Sequence, residues 1–428
     1  MKVFKFGGAS VKDPEAVKNV AEILKNYAGE KICVVVSAMG KTTNALERIT
    51  KCYFDNDKNI TKEFDDLKAF HKEILSELFP NSNHSIYDEI NNLFVEVEWA
   101  IEDPATGTYD FEYDQFVSIG ELVSTKIISA YLNDNDVKSK WFDVRDIIKT
   151  DNTYREGKVD WEETVQNMNN TVGKHFESSN GIAITQGFIG CTSENFTTTL
   201  GREGSDYSAA ILAYALGATE MTIWKDVPGM LNADPKWFND TKKLDHISYR
   251  EAIELAYYGA TVIHPKTIKP LQNKAIPLYV KSFLEYKKEG TIIDEETAED
   301  SLIPSFIFKM EQLLISLSPK DFSFIVEGNM QDIFGLFARH NVTMNLMQNS
   351  ALNLSVTIDN DEQKVPGLLE ELKKDYKVWL NNNLELVTIR HYNSKTIDRV
   401  TRGKEILVEQ KSRHTARFVM KDLGWVEA

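Results

Sequence analysis

The chain predicts an α/β domain on a mainly parallel sheet, followed by a smaller α+β module of ferredoxin-like type. Two observations carry this prediction. From residue 1 to about 285, short apolar β-branched runs alternate with helically periodic segments. Beyond the acidic stretch Lys287–Ser301, which lacks an apolar period, the rhythm becomes strand, helix, strand, strand, helix, strand.

Val3–Phe6 reads as a strand interrupted by Gly7 and Gly8. Asp13 and Pro14 then supply an N-cap and a first helical position for a helix running to about Tyr27. Lys31–Ser37 reads as a buried strand, as do Gly181–Phe188 and Met221–Trp224, and Ile276–Ser282 closes the series. Helical periods cover Ser118–Leu132, Ser205–Leu216 and Tyr249–Tyr258, the last with a capping box from Ser248 and Glu251. Residues 60–100 are charged and helically periodic, a solvated excursion without evident chemistry. After a linker at 286–302, Leu313–Ser318 reads as a strand and Met330–His340 as a helix capped by Asn329. Thr343–Asn349 and Leu352–Ile358 follow as strands, Val365–Lys374 as a helix, and Leu384–Ile389 as a strand. Ile406–Met420 adds strand-like material but no matching final helix.

The chain has 428 residues, of which 42% are hydrophobic and 27% charged, the balance of an ordinary globular protein. Its net charge of −16 argues against nucleic acid or an anionic membrane as the main partner. An anionic substrate must therefore be drawn in by local basic groups. The three cysteines, Cys33, Cys52 and Cys191, show no CxxC spacing, which predicts reduced thiols and no structural zinc. No apolar run reaches transmembrane length and no signal-peptide pattern opens the chain, so a cytoplasmic protein is expected.

Thr197–Asp206, reading TTTLGREGSD and leading into the apolar run SAAILAYAL, is the most informative stretch. Glycines allow close backbone approach, and a helix N-terminus presents unpaired N–H groups where anions bind. Arg202 adds a fork that grips a carboxylate or phosphate with two hydrogen bonds. The strand–Gly7–Gly8–helix unit could cradle phosphates, with Lys5 as a point charge beside them, although by itself it reads first as a tight strand–helix connection. It is neither a Walker A motif nor a dinucleotide fingerprint. Taken singly, each glycine pair also fits a simple turn.

Together, KFGGAS, ITQGFIG, TTTLGREGSD, KDVPGMLNADP and YYGATVIHP stand in the order found in aspartokinases, which the chain closely resembles over nearly its whole length. The resemblance implies an amino-acid kinase fold, an open, mainly parallel αβα sandwich, over residues 1–285. It implies an ACT regulatory region over 303–428, with a complete module at 311–383 and an abbreviated one from 303–310 plus 384–428. No homoserine-dehydrogenase extension is expected. The implied reaction moves the ATP γ-phosphoryl group to the side-chain carboxylate of L-aspartate, with Mg²⁺, as the first step of lysine, threonine and methionine biosynthesis. Such a carboxylate, with a pKa near ~4, is already ionised and needs no general base. The obstacle is bringing two anions together, which lysines, backbone N–H groups and Mg²⁺ overcome.

By the same resemblance, Lys5 contacts the phosphates and the transferred group, Asp206 organises that lysine, and Phe6, Gly7 and Gly8 shape the nucleotide loop. Aspartate-binding positions fall on Thr43, Glu121, Arg202, Glu203, Gly204 and Ser205, with Arg202 on the α-carboxylate and Glu121 on the ammonium. Ser37 lies beside them. Lys225, Asp226, Leu231, Lys236 and Thr261 occupy the remaining ATP positions, and here the chain departs from the family pattern. Lys225 replaces a threonine, Leu231 a frequent aromatic residue, Lys236 an arginine and Thr261 a lysine. Ala9 stands for a common threonine. Glu203 replaces a common glycine, and its side chain is expected to point away from the anions. Lys266 reads as a surface lysine.

ACT modules of this family pair between subunits and bind amino-acid effectors at helix-start loops, which implies a homodimer. The effector positions fall on Asn329, Met330 and Asp332, opposite Thr343, Met344, Asn345 and Gln348. Asn345 and Ala351 stand where lysine-responsive relatives often have acids, which argues against lysine and leaves a neutral amino acid. Two rivals remain at this stage: a kinase for glutamate or acetylglutamate, and a catalytically weak ACT-based amino-acid sensor. A dinucleotide-binding oxidoreductase lacks its GxGxxG.

Overall fold

The first strand, β1 (Lys2–Phe6), buries four of its five residues: Val3, Phe4 and Phe6 because helices cover both sides of a parallel sheet, and with them Lys5. The computed structural model describes residues 1–260, 263–321 and 323–422, which form two units. The first comprises residues 1–230, 243–253 and 263–297, and the second 231–242, 254–260 and 298–422.

After β1 the chain turns at Gly7–Gly8. The Asp13 carboxylate accepts the Ala16 N–H at 2.8 Å to open α1 (Pro14–Lys25). β2 (Ile32–Val36) is buried throughout and lies parallel to β1. Four helices follow: α2 (Thr42–Phe54), α3 (Ile60–Leu78), α4 (Ser85–Glu102) and α5 (Tyr109–Val117). α6 (Ile119–Asp134) comes next, with eleven of its sixteen residues buried, so it reads as apolar nearly all round. The chain continues through β3 (Ser139–Trp141), β4 (Lys149–Thr150), β5 (Val159–Asp160), α7 (Trp161–Met168) and α8 (Lys174–Ser178). β6 (Ile182–Gln186), β7 (Ile189–Cys191) and β8 (Thr197–Thr199) lead into α9 (Gly204–Leu216) and β9 (Glu220–Lys225). β10 (His246–Ser248), α10 (Tyr249–Tyr258), α11 (Pro265–Asn273), β11 (Leu278–Ser282) and β12 (Thr291–Asp294) end this part of the chain. The main sheet has eight strands in the order β10-β12-β11-β9-β1-β2-β6-β3, and β11–β12 is its antiparallel pair. A smaller sheet, β5-β4-β7-β8, stands beside it.

In the second unit, β13 (Ser305–Pro319), α12 (Glu327–Arg339), β14 (Met344–Asn349), β15 (Leu354–Asp359), α13 (Val365–Asp375) and β16 (Tyr376–Arg390) form the βαββαβ module. α14 (Ser394–Thr401), β17 (Lys404–Lys411) and β18 (Thr415–Asp422) extend it. All six strands share one antiparallel sheet, β14-β15-β13-β16-β18-β17. β13 and β16, each of 15 residues, pair along their lengths with register shifts around Gln312, where Glu311 adopts a φ of 53°. This bulge divides two apolar cores. Leu313, Ile315, Leu317, Val356, Phe337 and Leu368 fill one, and Phe306, Val387, Ile389, Phe418 and Phe238 the other.

Four expectations need correction. The series of strands does not close at Ser282: β12 lies inside the stretch expected to be a linker and joins the main sheet, where Ile293 is fully buried. Its acidic neighbours masked a four-residue strand. α14 was missed because only Ile397 and Val400 interrupt its polar sequence; Asn393 and Thr396 cap it reciprocally. Asn329 does not cap α12. The helix begins at Glu327, and Asn329 sits in its first turn, accepting the Val326 N–H at 3.1 Å. The expected effector positions Asn329, Met330 and Asp332 therefore lie inside the helix and not in a loop before it.

Candidate active site

Lys5 near the end of β1 and Lys225 at the end of β9 lie at the carboxyl ends of adjacent parallel strands, where ligands gather in open α/β sheets. Lys5, 9% exposed, brings Nζ to 2.6 Å from Oδ1 of Asp206, itself 3% exposed in the first turn of α9. Lys225 Nζ lies 4.0 Å from the other Asp206 oxygen. The acid is placed by the glycine turn before it. Gly201 has a φ of 76°, and Gly204 approaches Phe188 so closely that a Cβ would fall 2.6 Å from the ring.

The turn after β1 is equally tight. A Cβ on Gly8 would stand 2.9 Å from the Ala38 carbonyl oxygen and 3.0 Å from that of Gly40, both main-chain atoms. The Gly40 N–H donates to Gly8 O at 3.1 Å, so the loops after β1 and β2 are laced together. The Phe6 side chain is fully buried and stacks on Trp224, which leaves it a core role.

A cleft of about 900 Å³ opens over these groups. Its walls include Lys5, Thr43, Glu121, Arg202, Glu203, Gly204, Ser205, Asp206 and Lys225 from the expected set, together with Ser37. A Cβ on Gly7 would stand 3.2 Å from Lys5 Nζ. Asp226 is exposed. Leu231 and Lys236 belong to the second unit, where Phe238 of the same segment stacks on Phe306 in the second apolar core. Thr261 lies outside the described residues. Glu203 departs from expectation. It takes a left-handed φ of 54°, lines the cleft and buries Oε2 without a hydrogen-bond partner, and its charge faces His264. Lys266 is exposed.

Glu121 is 2% exposed. Oε1 accepts the Ala38 N–H at 3.3 Å, while Oε2 has no hydrogen-bond partner. Burial pushes its carboxyl up to about 8, against the smaller lowering effect of the backbone hydrogen bonds. Burial thus favours the neutral acid, and a cation brought beside it would favour the carboxylate.

Sequence reasoning missed two buried supports. Asp114, inaccessible to solvent, accepts the N–H groups of Arg155 and Thr199 at 2.8 and 2.9 Å and the Thr199 hydroxyl at 2.7 Å. Burial raises it to about 6 despite these bonds. It lies seven residues before Glu121, and the presence of two acids in a mostly apolar run was the available signal. His71, 1% exposed, is held by desolvation at about 4 and is therefore neutral. Its Nδ1 lies 2.9 Å from Leu67 O and its Nε2 3.4 Å from Thr42 Oγ1, so it steadies the start of α2 that carries Thr43.

In the second unit, Asn345 Nδ2 donates to Gln312 Oε1 and to Asp359 Oδ1, both at 2.9 Å, while its Oδ1 accepts from Lys309 Nζ at 2.7 Å. These bonds tie the expected effector residue Asn345 to the β13 bulge. Met330 and Met344 pack against the first core. Asp332, Thr343 and Gln348 are exposed.

Lysines at adjacent strand ends, a buried acid between them, glycine-tightened turns and a helix N-terminus over a polar cleft define a small-molecule kinase of the αβα class. The chain belongs to the amino acid kinase family, whose model matches residues 1–282, and within it to the aspartokinases. It is 32% identical over 395 residues to the lysine-sensitive aspartokinase 3 of Escherichia coli (strain K12), covering 90% of this chain and 86% of that protein. The crystal structure of E. coli aspartokinase III in complex with lysine and aspartate (T-state) matches with a TM-score of 0.83 at 30% identity, covering 98% of this chain and 95% of that one. The complex of the E. coli enzyme with aspartate and ADP (R-state) matches with a TM-score of 0.80 at 30% identity, covering 98% and 96%. Among the described residues, no helix is long and apolar enough to cross a membrane.

Proposed function

We propose that this protein is an aspartate kinase that moves the γ-phosphoryl group of ATP onto the side-chain carboxylate of L-aspartate, giving 4-phospho-L-aspartate and ADP. The observation that carries the reading is the 2.6 Å pairing of Lys5 with Asp206 in a cleft that also holds Glu121 and Arg202. A carboxylate oxygen of the substrate attacks Pγ as the bond from Pγ to the β,γ-bridging oxygen breaks, and ADP leaves with those electrons. No proton moves. Lys5 and Lys225 offset charge on the phosphoryl oxygens, Asp206 aims Lys5, and the loop of Gly7 and Gly8 brings main-chain N–H groups to the nucleotide. Arg202 takes the α-carboxylate and Glu121 the ammonium, with Thr43, Gly204 and Ser205 completing the pocket.

The cleft wall carries four cations, Lys5, Arg155, Arg202 and Lys225, against the acids Glu47, Asp110, Glu121, Glu156, Glu203 and Asp206. That balance does not welcome a bare nucleotide tetra-anion. It fits Mg²⁺ carried on the ATP phosphates, which neutralises their charge; among the described residues, no cluster of three or more His, Cys, Asp or Glu offers a metal cage of its own. The second unit is read as an ACT regulatory region that pairs two copies into a homodimer. The chemistry is tested by trapping acyl phosphate with hydroxylamine in the presence of ATP and Mg²⁺. Hydroxamate is expected from L-aspartate and not from L-glutamate or N-acetylglutamate, and absence of product from a folded protein rejects the reading.

A further inference from the structure

Arg155 holds a backbone conformation that its own side chain makes costly. Its φ is 65°, in the left-handed region where a Cβ crowds the following carbonyl and glycine is favoured. Asp114 keeps it there by accepting its N–H, and the same carboxylate holds Thr199. Gly157 N–H donates to Thr199 O at 2.8 Å, and a Cβ on Gly201 would meet Arg155 O at 3.3 Å. The loop bearing Arg155 is thereby seated against the loop bearing Arg202.

None of these bonds uses the guanidinium. It lies over the Tyr113 ring at 4.3 Å and reaches Asp110 at 3.4 Å, in a pair whose side chains are 42% and 58% exposed. A long, exposed pair contributes little to stability. A glycine would serve the backbone better, yet the chain places there an arginine that lines the cleft. Strain retained at a residue facing a site points to a function for the side chain.

We propose that Arg155 is a second carboxylate-binding residue of the substrate pocket, sharing the α-carboxylate of the substrate with Arg202 and exchanging Asp110 for it. The inference rests on the reading of the cleft as an aspartate site. In a cleft whose acids outnumber its bases, a second guanidinium supplies the local charge that the overall field withholds. The Tyr113 ring beneath it limits its rotamer freedom, so less is lost on binding.

The test compares wild type with Arg155→Gly, Arg155→Lys and Asp110→Asn, by hydroxamate formation across L-aspartate concentrations at saturating MgATP and by thermal unfolding without ligand. Relief of the strained φ leaves the Arg155→Gly unfolding midpoint unchanged or raised, while its KM for aspartate rises about tenfold, the worth of one charge-assisted hydrogen bond, with kcat nearly kept. Arg155→Lys keeps the charge, loses the fork and falls between. Asp110→Asn frees the guanidinium and lowers KM. A KM for Arg155→Gly within about twofold of wild type overturns the inference and leaves the function standing. A fall in stability alongside the rise in KM overturns it in favour of a structural role. A wild type inert toward aspartate overturns the functional reading and the inference together.

Discussion

Lys5 Nζ stands 2.6 Å from Oδ1 of Asp206, and Lys225 Nζ stands 4.0 Å from Oδ2, so one buried carboxylate serves two lysines from neighbouring strands. The arrangement solves a problem of placement. A lysine is a flexible point charge, and holding it in a cleft before any phosphate arrives requires an anion that the phosphate does not displace. Asp206 meets that need because it sits in the first turn of α9, where the helix dipole favours its charge.

Lys5→Ala is expected to lower kcat by about 10³-fold or more, the scale of removing a preorganised charge from a phosphoryl-transfer site. The fold persists, because Lys225 remains beside Asp206 and the small alanine fits the strand. Steady-state kinetics with circular dichroism check both halves. Near-normal turnover would remove Lys5 from the mechanism.

Gly8→Ala tests the loop itself. The added Cβ would press on the carbonyl oxygens of Ala38 and Gly40 at 2.9 and 3.0 Å, neither of which can swing aside as a side chain does. The turn must open, and a shift of about 1 Å in groups that position phosphates costs roughly 10²-fold in rate. Activity should fall far more than the unfolding midpoint, and a variant of wild-type activity would show that the close approach is incidental.

Elements with strong periodicity or caps were legible in the sequence. The Asp13–Pro14 start of α1 and the limits of α10 match their expected positions because local chemistry alone fixes them. β12 and α14 were not legible: one is four residues among acids, the other eight mostly polar residues, and both depend on partners distant in sequence. At the site, glycine turns and an exposed Arg202 announce themselves. Asp114 and His71 act through buried hydrogen bonds to loops whose proximity only the fold creates. The packing of Phe238 on Phe306 was likewise invisible, because it joins segments about seventy residues apart.

Asn345→Ala should weaken the second unit. Gln312 is fully buried, and its Oε1 accepts from Asn345 Nδ2. Deleting that donor strands a buried acceptor, at a cost of about 1–3 kcal/mol. Urea denaturation, followed by circular dichroism, reads this as a lower midpoint with an unchanged slope. An unchanged midpoint would mean that water replaces the amide at the bulge.

If Glu121 receives the substrate ammonium as proposed, substrate binding and proton release become one event. Its folded-state carboxyl lies near 8 against an ordinary 4.5, because burial penalises the anion. An acid raised in the folded state destabilises that state as pH climbs, since the unfolded chain ionises first. Between pH 4.5 and about 8 the ligand-free protein therefore loses stability that Glu121→Gln retains, and above about 8 the two curves run parallel. The ammonium of aspartate reverses the penalty by pairing with the carboxylate, so binding near pH 7 expels a proton. Calorimetric titrations with aspartate in buffers of different ionisation enthalpy should show up to one proton released by wild type and none by Glu121→Gln, whose affinity also falls. Equal heats in every buffer for wild type would mean that Glu121 is already ionised in the empty cleft, with a cation beside it.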